Sequence, residues 1–326
     1  MAIEEGSATY ALFNDADALA SAFRNVGVEF RCQERGPFRG RLGFTALQGT
    51  EVQHLSLNQP SVSHAFNGLG RFVLLVQLRS PRPCVWNGYT MHGASVLAYG
   101  SGAEHAGVEP GGMECAVVSY PHERVVNLAQ GGGALQGLRR LQAGCHQVDL
   151  SPLDYGTLAW RVMQLNALAS TQPAALCEPA ICEVFESLLE ESLLTVLART
   201  AAGAAQPASR HQLLDAIRRA EDYLEASPRP SWRLSGLCAG AGIDAPVLRQ
   251  ACTELFGLRA TRYLALFRLE RLRRDLLASA GGAEDVAALA RRWGFWHLPW
   301  LRLWYRLHFG ETMECTRSRG LVAHGC

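Results

Sequence analysis

The stretch from Arg291 to Gly310, RRWGFWHLPWLRLWYRLHFG, decides the fold of the C-terminal part of the chain. An apolar helix end comes first, and Gly294 can then adopt the left-handed conformation that ends a helix. A second helix follows, in which Leu298, Leu301 and Tyr305 recur at helical spacing between arginines. This order is typical of a helix-turn-helix unit, whose second helix can enter the major groove of DNA.

A weaker copy of the same pattern lies about fifty residues upstream, between Leu234 and Gly257. Gly242 interrupts a first apolar helix, and Asp244 is a predicted N-cap for the second. The segment between the copies, TRYLALFRLERLRRDLLAS from Thr261 to Ser279, has the periodicity of one long amphipathic helix. The sequence therefore predicts two helix-turn-helix units joined by a connecting helix.

These segments resemble the tandem helix-turn-helix domain of the AraC/XylS transcription regulators. The resemblance rests on the order of 234–257, YLALFRLERLRRDLL, and VAALARRWGFWHL followed by YRLHFGE. The chain departs from the family pattern at Pro299 to Leu301, at Cys252, and at Ala260 and Met313, where prolines are usual. The resemblance implies an all-α domain that binds double-stranded DNA.

Helix spacing and the resemblance together indicate which side chains would meet DNA. In the first unit they are Asp244, Ala245, Pro246, Arg249 and Gln250. In the second they are His297, Leu298, Pro299, Trp300, Arg302, Leu303 and Arg306. Arg249 can pair with guanine and Gln250 with adenine in the major groove, whereas Arg302 and Arg306 are expected at phosphates. The second unit is poorer in polar groups, so we expect it to contribute affinity more than sequence discrimination; solvated arginine faces are the alternative.

The positive charge of the chain is concentrated in the region that contains the two helix-turn-helix motifs. The net charge is +1, but from Ser209 onward there are 18 Arg against 12 acidic residues, and before it 13 against 18. All 31 basic residues are Arg, a side chain suited to bidentate contacts with phosphate and guanine. An excess of positive charge on the paired motifs is what a DNA-binding surface needs.

The first 150 residues have a different sequence pattern, in which short β-prone runs are separated by Gly, Pro, Asn and Ser. Examples are RLGFTALQG from Arg41, RFVLLVQL from Arg71 and ECAVVSYP from Glu114. Such spacing indicates a β-sandwich or barrel. The position of this region before the tandem motif, and the segment from Gly93 to Gly112, resemble the cupin-like sensory domain of AraC-type regulators. The predicted fold class is therefore α+β and multidomain.

The β-rich region contains no recognisable catalytic or metal motif. Glu104 and His105 are adjacent in sequence, while His54, His64 and His92 are scattered, so hydrogen-bonded or surface histidines are favoured over a metal site. We predict no cofactor and no metal. A barrel of this kind can hold a small-molecule effector, and the candidate contacts are Arg71, Trp86, Tyr89 and Tyr99, with ordinary core or rim positions as the alternative.

Residues 152–200 are predicted to be helical, with apolar side chains that repeat along one helix. Candidates for a dimer interface on that helix are Ile181, Phe185, Leu188, Leu189, Ser192 and Val196. The alternative is that this stripe packs on its own barrel. The small-residue segment from Ala201 to Ser209 marks the best domain boundary.

The predicted organisation is a β-rich sensory domain (1–150), a helical linker (151–208), the tandem DNA-binding domain (209–320) and a tail (321–326). The chain shows no signal peptide and no apolar run long enough for a membrane span, so we expect a cytoplasmic protein. The favoured function is a non-enzymatic, effector-controlled transcription regulator. Its expected partners are DNA, an unknown effector, a second copy of the chain and RNA polymerase. The alternatives are a degenerate family member that acts through protein contacts, and a cupin-class enzyme.

Overall fold

The computed structural model describes residues 6–130, 132–141, 144–202, 208–227, 232–279 and 285–323. They divide into two compact units. We call residues 6–30 together with those from 39 to 202 the β unit. Residues 31–38 together with those from 208 onward are the helical unit.

The β unit confirms the predicted β-rich fold of the N-terminal region, since its strands form two sheets. In chain order the strands are β1 (Ser7–Phe13), β2 (Val26–Cys32), β3 (Gly40–Ala46), β4 (Glu51–Leu57), β5 (Ser61–Asn67), β6 (Arg71–Arg79), β7 (Val85–Trp86), β8 (Tyr89–Thr90), β9 (Ser95–Tyr99), β10 (Glu104–Glu109), β11 (Met113–Pro121) and β12 (Cys145–Asp149). One sheet has the order β1-β3-β4-β11-β6-β9-β12, and the other has the order β2-β5-β10-β7-β8. The paired strands run antiparallel.

Five helices belong to the β unit, and the last two replace the separate linker that the sequence suggested. They are α1 (Ala16–Ala22), α2 (His122–Leu128), α3 (Gly132–Leu141), α4 (Pro152–Thr171) and α5 (Pro179–Ala202), with a 3-10 turn at Pro173–Cys177 before α5. Apolar side chains of α4 and α5 join one buried cluster with the seven-stranded sheet. The region 151–202 is thus an integral layer of the β unit, because many of its apolar side chains are buried in this cluster.

Strand β6 shows why the sequence in this region reads as an almost unbroken apolar run. Successive side chains point to opposite faces of a strand. Phe72, Leu74 and Val76 pack into the cluster that includes α4 and α5, while Val73 and Leu75 line a cavity on the other face. Both faces are covered, so alternation between apolar and polar residues is absent.

The helical unit consists mainly of seven helices: α6 (Ala208–Ala226), α7 (Leu234–Ala241), α8 (Ala245–Phe256), α9 (Ala260–Ala278), α10 (Val286–Arg292), α11 (Leu298–Phe309) and α12 (Met313–Ala323). The predicted connecting helix is α9, and it forms the core with Tyr263, Phe267 and Leu272 fully buried. The predicted boundary segment, 201–209, falls partly on residues 203–207, which lie outside the described residues. None of the helices in the described ranges has the length and apolarity that a membrane crossing requires.

The helical unit also contains residues 31–38, which no sequence pattern indicated. Arg31 is 2% exposed, and its Nη1 donates to Glu221 Oε1 at 2.6 Å and to Tyr263 OH at 2.8 Å. Its guanidinium also lies 4.8 Å from the centre of the Phe267 ring. The DNA-binding module predicted for 209–320 is therefore completed by a buried arginine from the N-terminal third of the sequence.

Candidate nucleic-acid interface and internal cavity

The first helix-turn-helix unit is formed by α7, the turn at Gly242 and α8. Gly242 has a φ of +64°, and its N–H bonds to the carbonyls of Cys238 and Ala239. This left-handed residue ends α7 and redirects the chain into α8. Leu248 and Leu255 are buried against the rest of the unit, which leaves the opposite face of α8 in solvent.

The exposed face of α8 carries the residues predicted to meet DNA. Arg249 and Gln250 are exposed, as are Asp244 and Pro246, whereas Ala245 is half-buried. Gln250 Nε2 donates to Glu254 Oε1 at 2.8 Å, while the Arg249 guanidinium makes no hydrogen bond or ion pair within the described ranges. Asp244 occupies the N-cap position, but its side chain makes no capping hydrogen bond, which corrects the predicted role.

The second helix-turn-helix unit, α10 to α11, has a more constrained turn. Gly294 has a φ of +75°, and a Cβ at this position would lie 2.6 Å from the ring of Trp232. That ring is held in turn by the guanidinium of Arg268, which lies 5.2 Å from its centre and 5.1 Å from that of Phe295. Only a glycine fits the turn between α10 and α11.

The exposed face of α11 is mainly apolar and aromatic. Trp296, just before the helix, is 73% exposed, Trp300 is 55% exposed and Leu303 is 58% exposed. Arg302 and Arg306 are exposed beside them. This composition agrees with the expectation that the second unit offers few polar groups to base edges.

The remaining predicted positions of the second unit lie at the start of α11. His297 is the N-cap, and its Nδ1 accepts from the backbone N–H of Trp300 at 3.2 Å. Pro299 is exposed and Leu298 half-buried. Arg302 Nη2 lies 3.3 Å from Glu314 Oε1, so this guanidinium must share its charge between Glu314 and any phosphate.

Sequence reasoning missed a groove beside α11. It is lined by Arg35, Thr261, Arg262, Ala265, Arg268, Gly294, Phe295, Trp296, His297, Trp300 and Trp304. Burial lowers the pKa of Arg268 in this groove. The helical period places Thr261 and Arg268, seven residues apart, on one face of α9, whereas nothing in the sequence signals that Arg35 joins them.

His308, near the end of α11, is a buried titratable group that the sequence did not single out. It is 2% exposed, and neither ring nitrogen has a hydrogen-bond partner within the described part of the chain. Burial, with contributions from Arg262, Arg273 and Arg35, lowers the pKa of His308 to about 4. The imidazole is therefore held neutral among arginines.

The β unit contains a cavity that is lined by residues of both sheets. Most of its lining is aliphatic or aromatic, and the lining residues that carry polar side-chain atoms include Ser63, Asn67, Trp86, Tyr99, His105 and Glu109. Within the described residues, no three His, Cys, Asp or Glu side chains come close enough to hold a metal ion.

Two of the four predicted effector contacts, Trp86 and Tyr99, lie in this lining. The other two do not. Arg71 Nε donates to Ser119 Oγ at 2.8 Å, and its Nη2 lies 3.3 Å from Glu51 Oε2, so the arginine is engaged elsewhere in the unit. Tyr89 is half-buried on β8, outside the lining of the cavity.

The predicted dimer stripe on α5 is largely occupied within its own unit. Leu189 and Val196 are fully buried in the cluster that covers the seven-stranded sheet, and Ser192 is 6% exposed. Ile181 and Phe185 pack against the same cluster, and Leu188 is half-buried. The structure thus corresponds to the alternative in which the stripe packs on its own barrel.

The comparisons with known proteins concern mainly the C-terminal region. A family model described as a helix-turn-helix domain matches residues 237–319. A curated protein of Rhodococcus erythropolis, the "Probable thc operon regulatory protein", is 30% identical over 96 residues. This alignment covers 29% of the chain and 29% of that protein, so it spans less than a third of the relative's length.

Two solved structures resemble the chain over a longer range at low identity. The AraC-like transcriptional activator CuxR is 13% identical, with 80% of this chain and 90% of that one covered and a TM-score of 0.39. ToxT from Vibrio cholerae, solved with a bound unsaturated fatty acid, is 13% identical, with 82% and 95% covered and a TM-score of 0.30. Together with the tandem geometry of α7 to α11, the family match shows that residues 237–319 form a helix-turn-helix domain.

Proposed function

We propose that this chain is a sequence-specific DNA-binding transcription regulator controlled by a small-molecule effector. The observation that carries the proposal is the repetition of one geometry. Two twelve-residue helices, α8 and α11, each follow a left-handed glycine turn and each expose one face with arginine on it. Two such helices can enter successive major grooves of one operator.

The side chains on the two exposed faces support different roles for the two helices, with base recognition by α8 and phosphate binding by α11. Arg249 and Gln250 offer donors and acceptors that discriminate bases. Arg306, whose guanidinium makes no hydrogen bond or ion pair with any described residue, suits a phosphate. The net positive charge from residue 209 onward favours both.

The test is selection of bound sequences from random double-stranded DNA with the full chain, followed by fluorescence anisotropy across a salt series. We expect one enriched sequence with two sites, and an affinity that falls steeply as salt rises because counterions are released from phosphates. Absence of any enriched sequence would favour the degenerate regulator that acts through protein contacts. In transcription from the selected operator, an increase would indicate an activator that contacts RNA polymerase, and a decrease would indicate a repressor.

The cavity of the β unit supports the effector part of the proposal. Its interior is apolar with a few polar side chains at one place, which is the composition typical of ligand sites. An effector can alter transcription only if it binds two arrangements of the protein with different affinity. Non-enzymatic action in the cytoplasm, without cofactor, belongs to the same proposal.

A homodimer is also part of the proposal, but its interface belongs on α4 rather than on α5. Leu153, Trp160 and Met163 are 78%, 59% and 53% exposed, and with the exposed Gly156 and Ala167 they form a stripe at the spacing of a helix-pair seam. Exposed apolar side chains in such a row favour burial against a second copy.

Sedimentation of matched variants tests this interface. Trp160→Glu places a charge in the α4 stripe and should give a monomer, because burial of an unpaired charge is costly. Val184→Glu, at a position on α5 that is 58% exposed, should leave the oligomeric state unchanged. If the Trp160→Glu variant remained a dimer, the interface would have to lie somewhere other than the α4 stripe.

A further inference from the structure

One end of the cavity in the β unit is built around a glycine. In the register of the five-stranded sheet, Gly107 on β10 pairs with Ser63 on β5 and with Trp86 on β7. His105 and Glu109 lie two residues to either side of Gly107, so their side chains point to the same face of the sheet. A Cβ on Gly107 would lie within 2.8 Å of polar atoms of Ser63, His105 and Glu109. The missing side chain leaves room for a compact polar cluster on the cavity wall.

The cluster is a chain of hydrogen bonds in which each proton is used once. Tyr99 OH lies 2.6 Å from His105 Nδ1, and His105 Nε2 lies 3.0 Å from Ser63 Oγ. Ser63 Oγ donates to Glu109 Oε1 at 2.5 Å. Since Ser63 gives its only proton to Glu109, it accepts from His105 Nε2–H, and His105 Nδ1 then accepts from Tyr99. The arrangement fixes the orientation of the Glu109 carboxyl group.

Three buried polar atoms of the lining residues have no hydrogen-bond partner among the described residues: Asn67 Oδ1, Glu109 Oε2 and Trp86 Nε1. Glu109 and Trp86 are 2% and 0% exposed, respectively. A buried donor or acceptor without a partner is costly, so native proteins seldom leave one unused. Of the three atoms, the acceptor of Glu109 and the donor of Trp86 lie on side chains that are diagonal neighbours across β10 and β7, whereas the Asn67 acceptor lies on β5.

We propose that the cavity binds a mainly apolar molecule whose polar group is an uncharged hydroxyl or carboxamide. The group would donate to Glu109 Oε2 and accept from Trp86 Nε1, and the aliphatic and aromatic walls would cover the remainder. This inference rests on the effector function proposed above and names the chemistry of the effector.

The same geometry disfavours charged head groups. A carboxylate has no proton for Glu109 and would be repelled by it. The lining contains neither Arg nor Lys, and its histidine, His105, lies 3.7 Å from Glu109 Oε1 with both ring nitrogens engaged by Ser63 and Tyr99. An ammonium group could meet Glu109 but has no acceptor for the Trp86 N–H. Only a group that carries both a donor and an acceptor satisfies both atoms.

The experiment uses the full chain without DNA and four probes with the same eight-carbon chain: octan-1-ol, octanamide, octanoate and octylammonium. Calorimetry at pH 7 should show the alcohol and the amide binding at least about tenfold more tightly than the two charged probes, because each buried hydrogen bond to a charged partner is worth roughly a tenfold change. The indole N–H resonance of Trp86, assigned with Trp86→Phe, should shift with the two neutral probes.

Two variants separate recognition of the head group from general binding. Glu109→Gln removes the negative charge and supplies a donor, so the preference for octan-1-ol over octanoate should fall about tenfold. Leu75→Val trims the apolar wall at a lining position and should weaken all four probes alike. Unfolding midpoints check that each variant is folded, and the wild-type series remains decisive if Glu109→Gln is not.

Three results would overturn the proposal. They are octanoate as the tightest wild-type ligand, an unchanged ranking in a folded Glu109→Gln variant, and no binding of any probe up to its solubility limit. None of them bears on DNA selection, which is measured without ligand. A failure of the ligand chemistry is therefore distinguishable from a failure of the regulator function.

Discussion

The helices α8 and α11 have the same length, and each residue of α8 has its counterpart in α11 53 positions further along the chain. The two helices nevertheless expose different side chains. Arg249 of α8 corresponds to Arg302 of α11, whereas Gln250 corresponds to Leu303. At the buried end, Leu255 corresponds to His308. One backbone arrangement thus carries a polar reading face in the first unit and an apolar face over a buried imidazole in the second. The shared geometry comes from the turns and the apolar positions, and the difference lies in the remaining side chains.

The turns give the largest expected contrast between the two units. Gly294→Ala should lower the free energy of unfolding of the helical unit by about 3 to 4 kcal/mol, since it adds left-handed strain and a clash with the Trp232 ring. Gly242→Ala should cost about 1 to 2 kcal/mol, because its Cβ would meet only the end of the Arg219 side chain, whose Nη2 donates to the carbonyls of Ala241 and Gly242. Hydrogen exchange of amides in the helical unit measures both. Equal losses would mean that Trp232 yields as easily as Arg219.

His308 gives the second contrast, in the dependence of stability on pH. The folded pKa of about 4 lies below the unfolded value of 6.5, so below pH 6.5 the unfolded chain takes up a proton that the folded chain does not. The free energy of unfolding of the helical unit should therefore fall by about 3 kcal/mol as the pH falls from 6.5 to 4. His308→Leu should remove this slope, and Leu255→His should introduce one into the first unit. A slope that persists in His308→Leu would assign it to other groups.

The exposed faces of α8 and α11 should differ in how strongly each one discriminates between base pairs. Arg249→Ala should cost about 1 to 3 kcal/mol at one base pair of the selected operator and relax the preference there. Arg306→Ala should weaken binding to all sequences alike and reduce the salt slope by about one. Arg218→Ala, on α6 and ion-paired with Asp215, is the control without effect. Uniform losses for both Arg249→Ala and Arg306→Ala across a randomised operator would remove the distinction between base reader and phosphate contact.

The apolar face of α11 gives the smallest expected effect. Replacing thymine with deoxyuridine removes one methyl group, worth about 0.8 kcal/mol when buried against an apolar side chain. We expect that loss in the half of the operator bound by α11, where Trp300 and Leu303 are exposed, and none under Arg249 and Gln250. Anisotropy with the two substituted duplexes measures it. A loss confined to the half under α8 would reverse the assignment of the two helices.

The sequence predicted the parts of the fold that depend on local chemistry. Gly242 and Gly294 stand between apolar helices, and the left-handed conformation of each in the structure confirms the predicted turns. The β-prone runs likewise became strands of antiparallel sheets, because spacing and turn residues act over short distances. Asp244 takes the predicted N-cap position, but its side chain makes no capping hydrogen bond.

What the sequence could not predict depends on partners that are distant along the chain. Periodicity placed Leu189 and Val196 on one stripe of α5 but could not say what covers it, and a buried cluster of strands and helices from the same unit does. The sequence suggested Arg71 as an effector contact, but in the structure its guanidinium binds Ser119 and Glu51 instead. The polar cluster around Gly107 draws residues from β5 and β10 of one sheet and from β9 of the other, which only the folded pair of sheets brings together.

Arg31 has a consequence for how the protein is made. Its partner Tyr263 lies 232 residues further along the chain, so during synthesis the arginine leaves the ribosome long before the helical unit exists. Domains generally fold from the N terminus as they emerge, but this one can complete its interior only when synthesis has passed Tyr263. Transplanting residues 208–323 onto another protein would leave Glu221 and Tyr263 without that arginine, so a transferable DNA-binding module must carry the 31–38 segment with it.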